Sequence, residues 1–210
     1  MKRKELKILG LSCSQNQIGS YVCVLSEKRG LKKIPIIIKN TEAQRIALEI
    51  EGIKSHKVLT HDIFKGICDS FQLDVQEVYI YALLEGIFYT KIILSNGLYE
   101  MEVETPTGDG IAISTIFKCP IYTTIDILNQ VGIQLNDDGS APETDRIDDD
   151  DDDDDDDFDS FIDDDRTERV ERVVSTEDLE KLMQSAIENE EYEIAAELRD
   201  RIQILKNKKN

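Results

Sequence analysis

A run of ten consecutive aspartates at residues 148–157 constrains this chain more than any other feature. Buried carboxylates each need a partner or a proton, and neighbouring like charges repel, so this run cannot enter a core. Residues 1–136 carry 15 basic and 15 acidic residues, residues 137–174 carry 4 and 20, and residues 175–210 carry 6 and 9. We therefore predict a domain at 1–136, an acidic disordered linker at 137–174 and a small element at 175–210. The linker acts as a spacer, or as a DNA-mimicking competitor for a basic face.

The basic N-terminal residues 1–5 are not followed by the apolar region of a signal peptide, and no apolar run reaches membrane-spanning length. We expect a cytoplasmic protein with no membrane partner. The four cysteines show no Cys-x-x-Cys spacing, which favours free thiols over a zinc site or a redox pair.

Alternating apolar residues and turn signals predict an α+β fold with two antiparallel strand groups and flanking helices. The predicted strands span 4–13, 21–25, 33–39, 75–84, 86–94 and 98–104. The first predicted helix is capped by Asn40 or Thr41, and the others start after Thr60, at Asp109 and at Thr124. Asn96-Gly97 predicts a tight hairpin turn because both residues accept positive φ. In the second helix, Ile63, Ile67, Cys68 and Phe71 share one face.

An ordered set of short segments resembles the bifunctional nuclease domain over residues 5–133. The segments are 31–38, Thr41-Glu42-Ala43, Leu59-Thr60-His61-Asp62, Gly86-Ile87-Phe88-Tyr89, Asp109-Gly110-Ile111-Ala112-Ile113 and Cys119-Pro120-Ile121-Tyr122. The resemblance implies cleavage of DNA and RNA by an α+β domain that forms homo-oligomers. Where the family usually reads Arg-(Thr/Pro)-Ser-Asp-Ala-Ile-Ala, this chain reads Pro106-Thr107-Gly108-Asp109-Gly110-Ile111-Ala112. Proline in place of arginine removes a plausible clamp for phosphate.

Three carboxylates near predicted helix starts are candidates for phosphodiester hydrolysis. Glu42, Asp62 and Asp109 could together hold Mg²⁺ or Mn²⁺, with His61 as base or ligand and with Asp62 and Asp109 as catalytic residues. The same positions suit helix capping, with Thr60 as the cap and Asp62 near the positive end of the helix dipole. Sequence alone leaves both interpretations open.

Two groups of basic residues could hold a phosphate backbone if they met on one face. They are Lys2-Arg3-Lys4-Lys7 and Lys28-Arg29-Lys32-Lys33. The alternative is that both groups are solvated ends of hairpins, and the neutral charge of residues 1–136 favours it.

The sequence of residues 175–210 predicts a helical hairpin, because it has a capping box at Ser175-Thr176-Glu177-Asp178 and apolar residues at helical spacing. Residues 178–202 closely resemble the UVR motif of the UvrB and UvrC excision-repair proteins. The resemblance implies pairing with another such hairpin, in a UVR-containing protein or a second copy of the chain; the alternative is that the hairpin folds back on its own domain. The predicted partner-binding residues are Leu179, Leu182, Met183, Tyr192, Ala195, Ala196, Leu198 and Ile202.

Two functions follow from these observations. The first is a metal-dependent nuclease that acts on DNA or RNA in repair or turnover and recruits partners through the hairpin. The second is a non-catalytic dimerising adaptor that keeps only the recruitment. Pro106 and the neutral domain favour the adaptor, and the two resemblances favour the nuclease.

Overall fold

The computed structural model describes residues 2–14, 19–28, 32–54, 57–134 and 174–207. The aspartate run and nearly all of the predicted linker lie outside these ranges, as do Arg29 and His56. Among the helices that are described, none combines the length and the apolar character needed to cross a membrane. Cys13, Cys23, Cys68 and Cys119 are free thiols, as predicted, and burial raises the pKa of the Cys23 thiol to about 12.

The elements follow the predicted order, and the α+β class is confirmed. The strands are β1 (Arg3–Cys13), β2 (Ser20–Glu27), β3 (Lys32–Lys39), β4 (Asp74–Leu84), β5 (Ile87–Ser95), β6 (Glu100–Thr105), β7 (Ile121–Thr124) and β8 (Ile133–Gln134). The helices are α1 (Asn40–Ile50), α2 (Thr60–Phe71), α3 (Thr107–Phe117), α4 (Ile125–Val131), α5 (Thr176–Glu188) and α6 (Tyr192–Asn207).

Within the described ranges, the strands form one mixed sheet in the order β6-β5-β4-β7-β1-β2-β3-β8. The two predicted strand groups are the antiparallel meanders β1-β2-β3 and β4-β5-β6. The short strand β7, which sequence reasoning missed, joins them: Tyr122 is in register with Glu5 of β1 on one side and with Tyr79 of β4 on the other. The pairing of β7 with β4 is parallel.

The turn between β5 and β6 lies where Asn96-Gly97 predicted it, but only one of the two residues has the positive φ that was expected of both. Gly97 has φ of +84°, whereas Asn96 is outside the positive-φ region. The Asn96 side chain instead accepts hydrogen bonds from the backbone N–H groups of Leu98 and Tyr99, at 3.0 and 3.1 Å. Asn96 therefore closes the loop through its side chain.

Helix α3 is buried along almost its whole length. It packs against β3, β4 and β5 and against α1 and α2. Its buried residues are spread around the helix and do not form a single apolar face, which is typical of a helix that lies inside a core. An added Cβ at Gly110 would lie 3.1–3.2 Å from side-chain atoms of Thr90, Thr105 and Val78, so glycine allows the sheet to approach closely here.

The inward face of α2 differs from the prediction. Ile63, Ile67 and Phe71 are exposed. His61 and Cys68 are the buried residues of α2. Phe64, between these two, contacts Phe117 edge-to-face at 5.9 Å. Positions i, i+3 and i+7 lie on one side of a helix, so His61, Phe64 and Cys68 face inward. The residues Ile63, Ile67 and Phe71 face outward.

The helical hairpin α5–α6 packs against its own domain, the alternative that the sequence left open. Leu179, Leu182, Ile194 and Leu198 have no exposed surface and belong to the same core cluster as residues of α1 and β1–β3. The hairpin and the domain therefore share one core in this structure. The acidic segment separates the two parts in sequence, whereas burial of the apolar stripe of the hairpin joins them in space.

This shared core predicts that a cavity in the hairpin weakens the domain. Leu198→Ala should lower the free energy of unfolding by about 2–5 kcal/mol, because the side chain is fully buried. Amide hydrogen exchange should then become faster in α1 and β2 as well as in α6. Ile204→Ala on the exposed side of α6 is the control. Unchanged exchange in α1 and β2 for Leu198→Ala would mean that the two parts unfold independently.

Candidate active site

The three candidate carboxylates occupy equivalent positions, each being the third residue of a helix. The Glu42 carboxylate accepts a hydrogen bond from the backbone N–H of Lys39 at 2.6 Å. The Asp62 carboxylate accepts one from the N–H of Leu59 at 2.9 Å. Both carboxylates therefore cap their own helix by reaching back to the residue that precedes it.

The predicted caps were misplaced. Lys39 and Leu59 occupy the N-cap positions of α1 and α2, where Asn40 or Thr41 and Thr60 were expected. Neither lysine nor leucine has a side chain that can accept a hydrogen bond. This is why the acidic residue three positions later satisfies the free backbone N–H.

Asp109 stands at the same position of α3 but has a different partner. The residue before α3 is Pro106, which has no N–H to offer. The Asp109 carboxylate instead lies 3.0 Å from His61 Nε2. His61 is buried, whereas the Asp109 side chain is 37% exposed. Because an ionised carboxylate can only accept, this contact places a hydrogen on Nε2 of the imidazole.

Arg45 connects α1 to α2. Its Nη2 atom lies 3.2 Å from Asp62 Oδ1 and 3.1 Å from Glu49 Oε2. Arg45 is buried, and its Nε atom has no hydrogen-bond partner among the residues that the structure describes. Asp62 therefore uses one oxygen to cap α2 and the other to bind α1, which fixes the start of the helix that carries His61.

Glu42 lies directly against the start of α3. A Cβ atom added to Gly108 would be 2.4 Å from Glu42 Oε2 and 2.7 Å from its Cδ. A side chain at position 108 would therefore displace the Glu42 carboxylate from its hydrogen bond to the N–H of Lys39. The first turns of α1, α2 and α3 consequently converge through Gly108, Arg45 and His61.

This convergence does not assemble the carboxylates as one ligand set for Mg²⁺ or Mn²⁺. Glu42, Asp62 and Asp109 each contact a different partner. Across the described ranges, no group of three or more His, Cys, Asp and Glu side chains is arranged to hold a metal ion. The residues as placed fit helix capping for Glu42 and Asp62, and a histidine–carboxylate pair for Asp109.

Three members of the two basic groups take part in ion pairs. Arg3 Nη1 lies 2.5 Å from Glu77 Oε1, Lys4 Nζ lies 2.5 Å from Glu27 Oε1, and Lys28 pairs with Glu5. These pairs reduce the positive potential that a phosphate backbone would meet. The geometry therefore agrees better with solvated strand ends than with a basic face.

Sequence reasoning missed Arg45 and the threonines beside the site. Thr107 Oγ1 lies 2.8 Å from Thr90 Oγ1 and 3.2 Å from the carbonyl oxygen of Phe88, so these residues fix the start of α3 on β5. The Arg45–Glu49 spacing of four residues was a visible signal of a helical ion pair. The contact between Arg45 and Asp62 had no counterpart in sequence spacing.

Most of the predicted partner-binding side chains are buried in the core that the hairpin shares with the domain. Leu179, Leu182 and Leu198 are fully buried and Ala195 and Ile202 nearly so. Met183 and Ala196 are half-buried. Tyr192 is exposed. Only the serine half of the predicted capping box is present: the Ser175 side chain accepts a hydrogen bond from the N–H of Asp178 at 3.0 Å, whereas the Asp178 carboxylate binds Ser175 Oγ and the backbone N–H of Cys13.

A mixed sheet around a buried helix, with converging helix starts and a C-terminal helical hairpin, defines a two-part α+β protein. Residues 23–136 match the bifunctional nuclease domain, and residues 174–208 match the UvrB/UvrC motif. The first match covers more than half of the 210 residues, so the chain belongs to the bifunctional nuclease domain family. Both resemblances predicted from the sequence are confirmed.

Two similar proteins come from Mycobacterium tuberculosis. They are the uncharacterized protein MT1877 of strain CDC 1551 / Oshkosh and the uncharacterized protein Rv1829 of strain ATCC 25618 / H37Rv. Each is 30% identical to this chain over 146 residues, which is 70% of this chain and 87% of the relative.

The close approach of α1 and α3 predicts opposite effects for two glycine substitutions. Gly108→Ala should destabilise the protein by about 1–3 kcal/mol, because the new methyl group collides with the buried Glu42 carboxylate. Gly66→Ala in α2, where an added Cβ meets nothing within 4 Å, should stabilise it by about 0.5–1 kcal/mol. Urea denaturation of both variants measures the difference. Equal stability of the two variants would contradict the described packing.

Proposed function

We propose that this chain is a nuclease that hydrolyses phosphodiester bonds of DNA or RNA in nucleic-acid repair or turnover. Membership of the bifunctional nuclease domain family supports the substrate class. The observation that carries the proposal is the contact between His61 Nε2 and Asp109 Oδ1, at 3.0 Å. Histidine is the most common general acid–base group, and a carboxylate behind its ring orients it.

The geometry gives each of these two residues a role. Asp109 holds the hydrogen-bearing Nε2 edge of His61, which leaves Nδ1 to take a proton from an attacking water or to return one to the leaving oxygen. Asp109 also stabilises the imidazolium that forms when His61 takes the proton. Asp62 and Arg45 act as positioning residues, because they fix the start of α2 without contacting the imidazole ring.

A divalent cation remains part of the proposal as a condition to be tested. Mg²⁺ or Mn²⁺ would supply counter-charge to the phosphate. The three carboxylates are not assembled for it, and the role proposed for His61 does not depend on it. Assays with EDTA, Mg²⁺ and Mn²⁺ separate the two contributions.

The recruiting role belongs to the C-terminal hairpin. Its match to the UvrB/UvrC motif supports interaction with proteins or DNA, and we propose a UVR-type hairpin as its partner. Self-association through the domain is a further part of the proposal. The exposed apolar stripe of Ile63, Ile67 and Phe71 on α2 is the surface that would support it.

The second candidate function is a non-catalytic adaptor. The observation that favours it is the engagement of the candidate carboxylates, since Glu42 and Asp62 both cap their helices and Pro106 replaces the arginine usual in the family. In this alternative the His61–Asp109 contact only joins α2 to α3. The two functions differ in whether loss of that contact affects cleavage beyond its effect on stability.

The test is cleavage of single-stranded DNA and RNA by the purified full-length chain. His61→Gln should lower the rate by about 10²–10⁴-fold, because it removes the proton-transfer group. Asp109→Asn should lower the rate while leaving the melting temperature close to that of the wild type, because Asp109 is partly exposed. Asp69→Asn, at an exposed position of α2, is the matched control.

The results separate the two functions. Cleavage that needs His61 and Asp109 but not Asp69 supports the nuclease. Cleavage that all three variants retain, or no cleavage by the wild type under any of the metal conditions, supports the adaptor.

A further inference from the structure

The hairpin covers a gap at the edge of a central strand. β7 pairs with the segment Arg3–Leu6 of β1, and the second half of β1 extends beyond it. Val174, just before α5, forms a parallel bridge with Leu11 and is fully buried. An open strand edge would otherwise present unpaired backbone groups, so the chain closes it with its own C-terminal part.

Asp178 connects this edge to the start of the hairpin. Its Oδ1 atom accepts a hydrogen bond from the backbone N–H of Cys13 at 3.2 Å, while its Oδ2 atom lies 2.5 Å from Ser175 Oγ. Asp178 is only 3% exposed. A buried carboxylate is costly unless it is hydrogen-bonded, so this residue is satisfied when the hairpin is docked.

Polar contacts lie at both ends of the hairpin. Glu191, next to the turn between α5 and α6, accepts from Gln44 Nε2 at 3.1 Å and pairs with Lys57 Nζ at 3.2 Å. On α6, Arg201 Nε lies 2.8 Å from Glu51 Oε2, with side-chain exposures of 30% and 10%. Because these contacts surround the buried apolar stripe, they fix one orientation of the hairpin on α1.

The docked hairpin therefore has its apolar stripe occupied. Leu179, Leu182 and Leu198 have no exposed surface, and these residues were expected to face a partner hairpin. Two short helices bury their apolar stripe either against α1 and β1 or in a four-helix arrangement with a second hairpin. The same side chains cannot fill both interfaces at once.

We infer that docking on α1 and β1 and pairing with a second hairpin exclude each other, so the chain holds its recruiting element in a closed state. The partner is a second copy of the same hairpin, on another molecule of this chain. The 39 residues between 134 and 174 could reach up to about 130 Å if fully extended, which is ample for undocking. Only the identity of the partner rests on the recruiting role proposed above.

Charge reversal at the Glu51–Arg201 pair tests the closed state in the full-length chain. Glu51→Arg or Arg201→Glu places two like charges in a partly buried contact. We expect amide hydrogen exchange in α5 and α6 to become about tenfold faster or more. We also expect each single variant to self-associate in sedimentation velocity at lower concentrations than the wild type. The double variant Glu51→Arg/Arg201→Glu should restore both properties.

Lys206→Glu is the matched control, because it makes the same charge change on α6 at a residue that pairs with Glu180 inside the hairpin, at 2.6 Å. Because that pair is exposed, with side-chain exposures of 59% and 42%, the variant should leave exchange in α5 and α6 and self-association close to those of the wild type. Unchanged exchange in Arg201→Glu would overturn the docking contact. Faster exchange with no gain in self-association would overturn mutual exclusion. Neither result depends on nuclease activity, so failure of this inference is distinguishable from failure of the proposed function.

Discussion

Helix α3 has almost no side that faces solvent, and the rest of the structure depends on this constraint. Eight of its eleven residues are buried, and β3, β4, β5, α1 and α2 enclose it. Its glycines allow the enclosure, because Gly110 permits close contact with the sheet and Gly108 permits close contact with Glu42. The position of the first turn of α3 is thereby fixed against the first turns of α1 and α2.

At this junction the same sequence pattern gives different results in different helices. Three helices carry an acid as their third residue, and in two of them the acid satisfies the backbone N–H before the helix. Proline removes that N–H in α3, so Asp109 is available for His61. Pro106 therefore bears on both proposed functions. Its missing N–H leaves Asp109 to pair with His61, which favours the nuclease, whereas its place in the stretch where the family resemblance leads us to expect an arginine favours the adaptor.

Much of this architecture could be predicted from the sequence, because the information is local. Alternation, helical spacing and turn residues located both meanders and the helices, and His61, Asp62 and Asp109 were identified as candidate residues. The four-residue strand β7 was missed because it is too short to show a period. The prediction of the inward face of α2 was wrong because the larger apolar residues of a helix are not always the buried ones. The side of α2 that is buried is the side that packs against α3.

The position of the hairpin could not be predicted from its own sequence. An amphipathic hairpin shows that it needs a partner surface, and the pattern does not say whether that surface is in the same chain. The contacts that decide it, such as those of Asp178 with Cys13 and of Arg201 with Glu51, join residues more than 140 positions apart. The same holds for Arg45 and Asp62, whose pairing depends on how α1 and α2 pack.

The most direct test of the central claim is the tautomer of His61, measured by long-range ¹H–¹⁵N NMR on the full-length protein. If Asp109 is free to bind the imidazole because Pro106 offers no N–H, the neutral ring carries its hydrogen on Nε2, and Asp109→Asn changes the ¹⁵N shift of that nitrogen. A neutral ring with its hydrogen on Nδ1, or a ring unaffected by Asp109→Asn, would contradict the account.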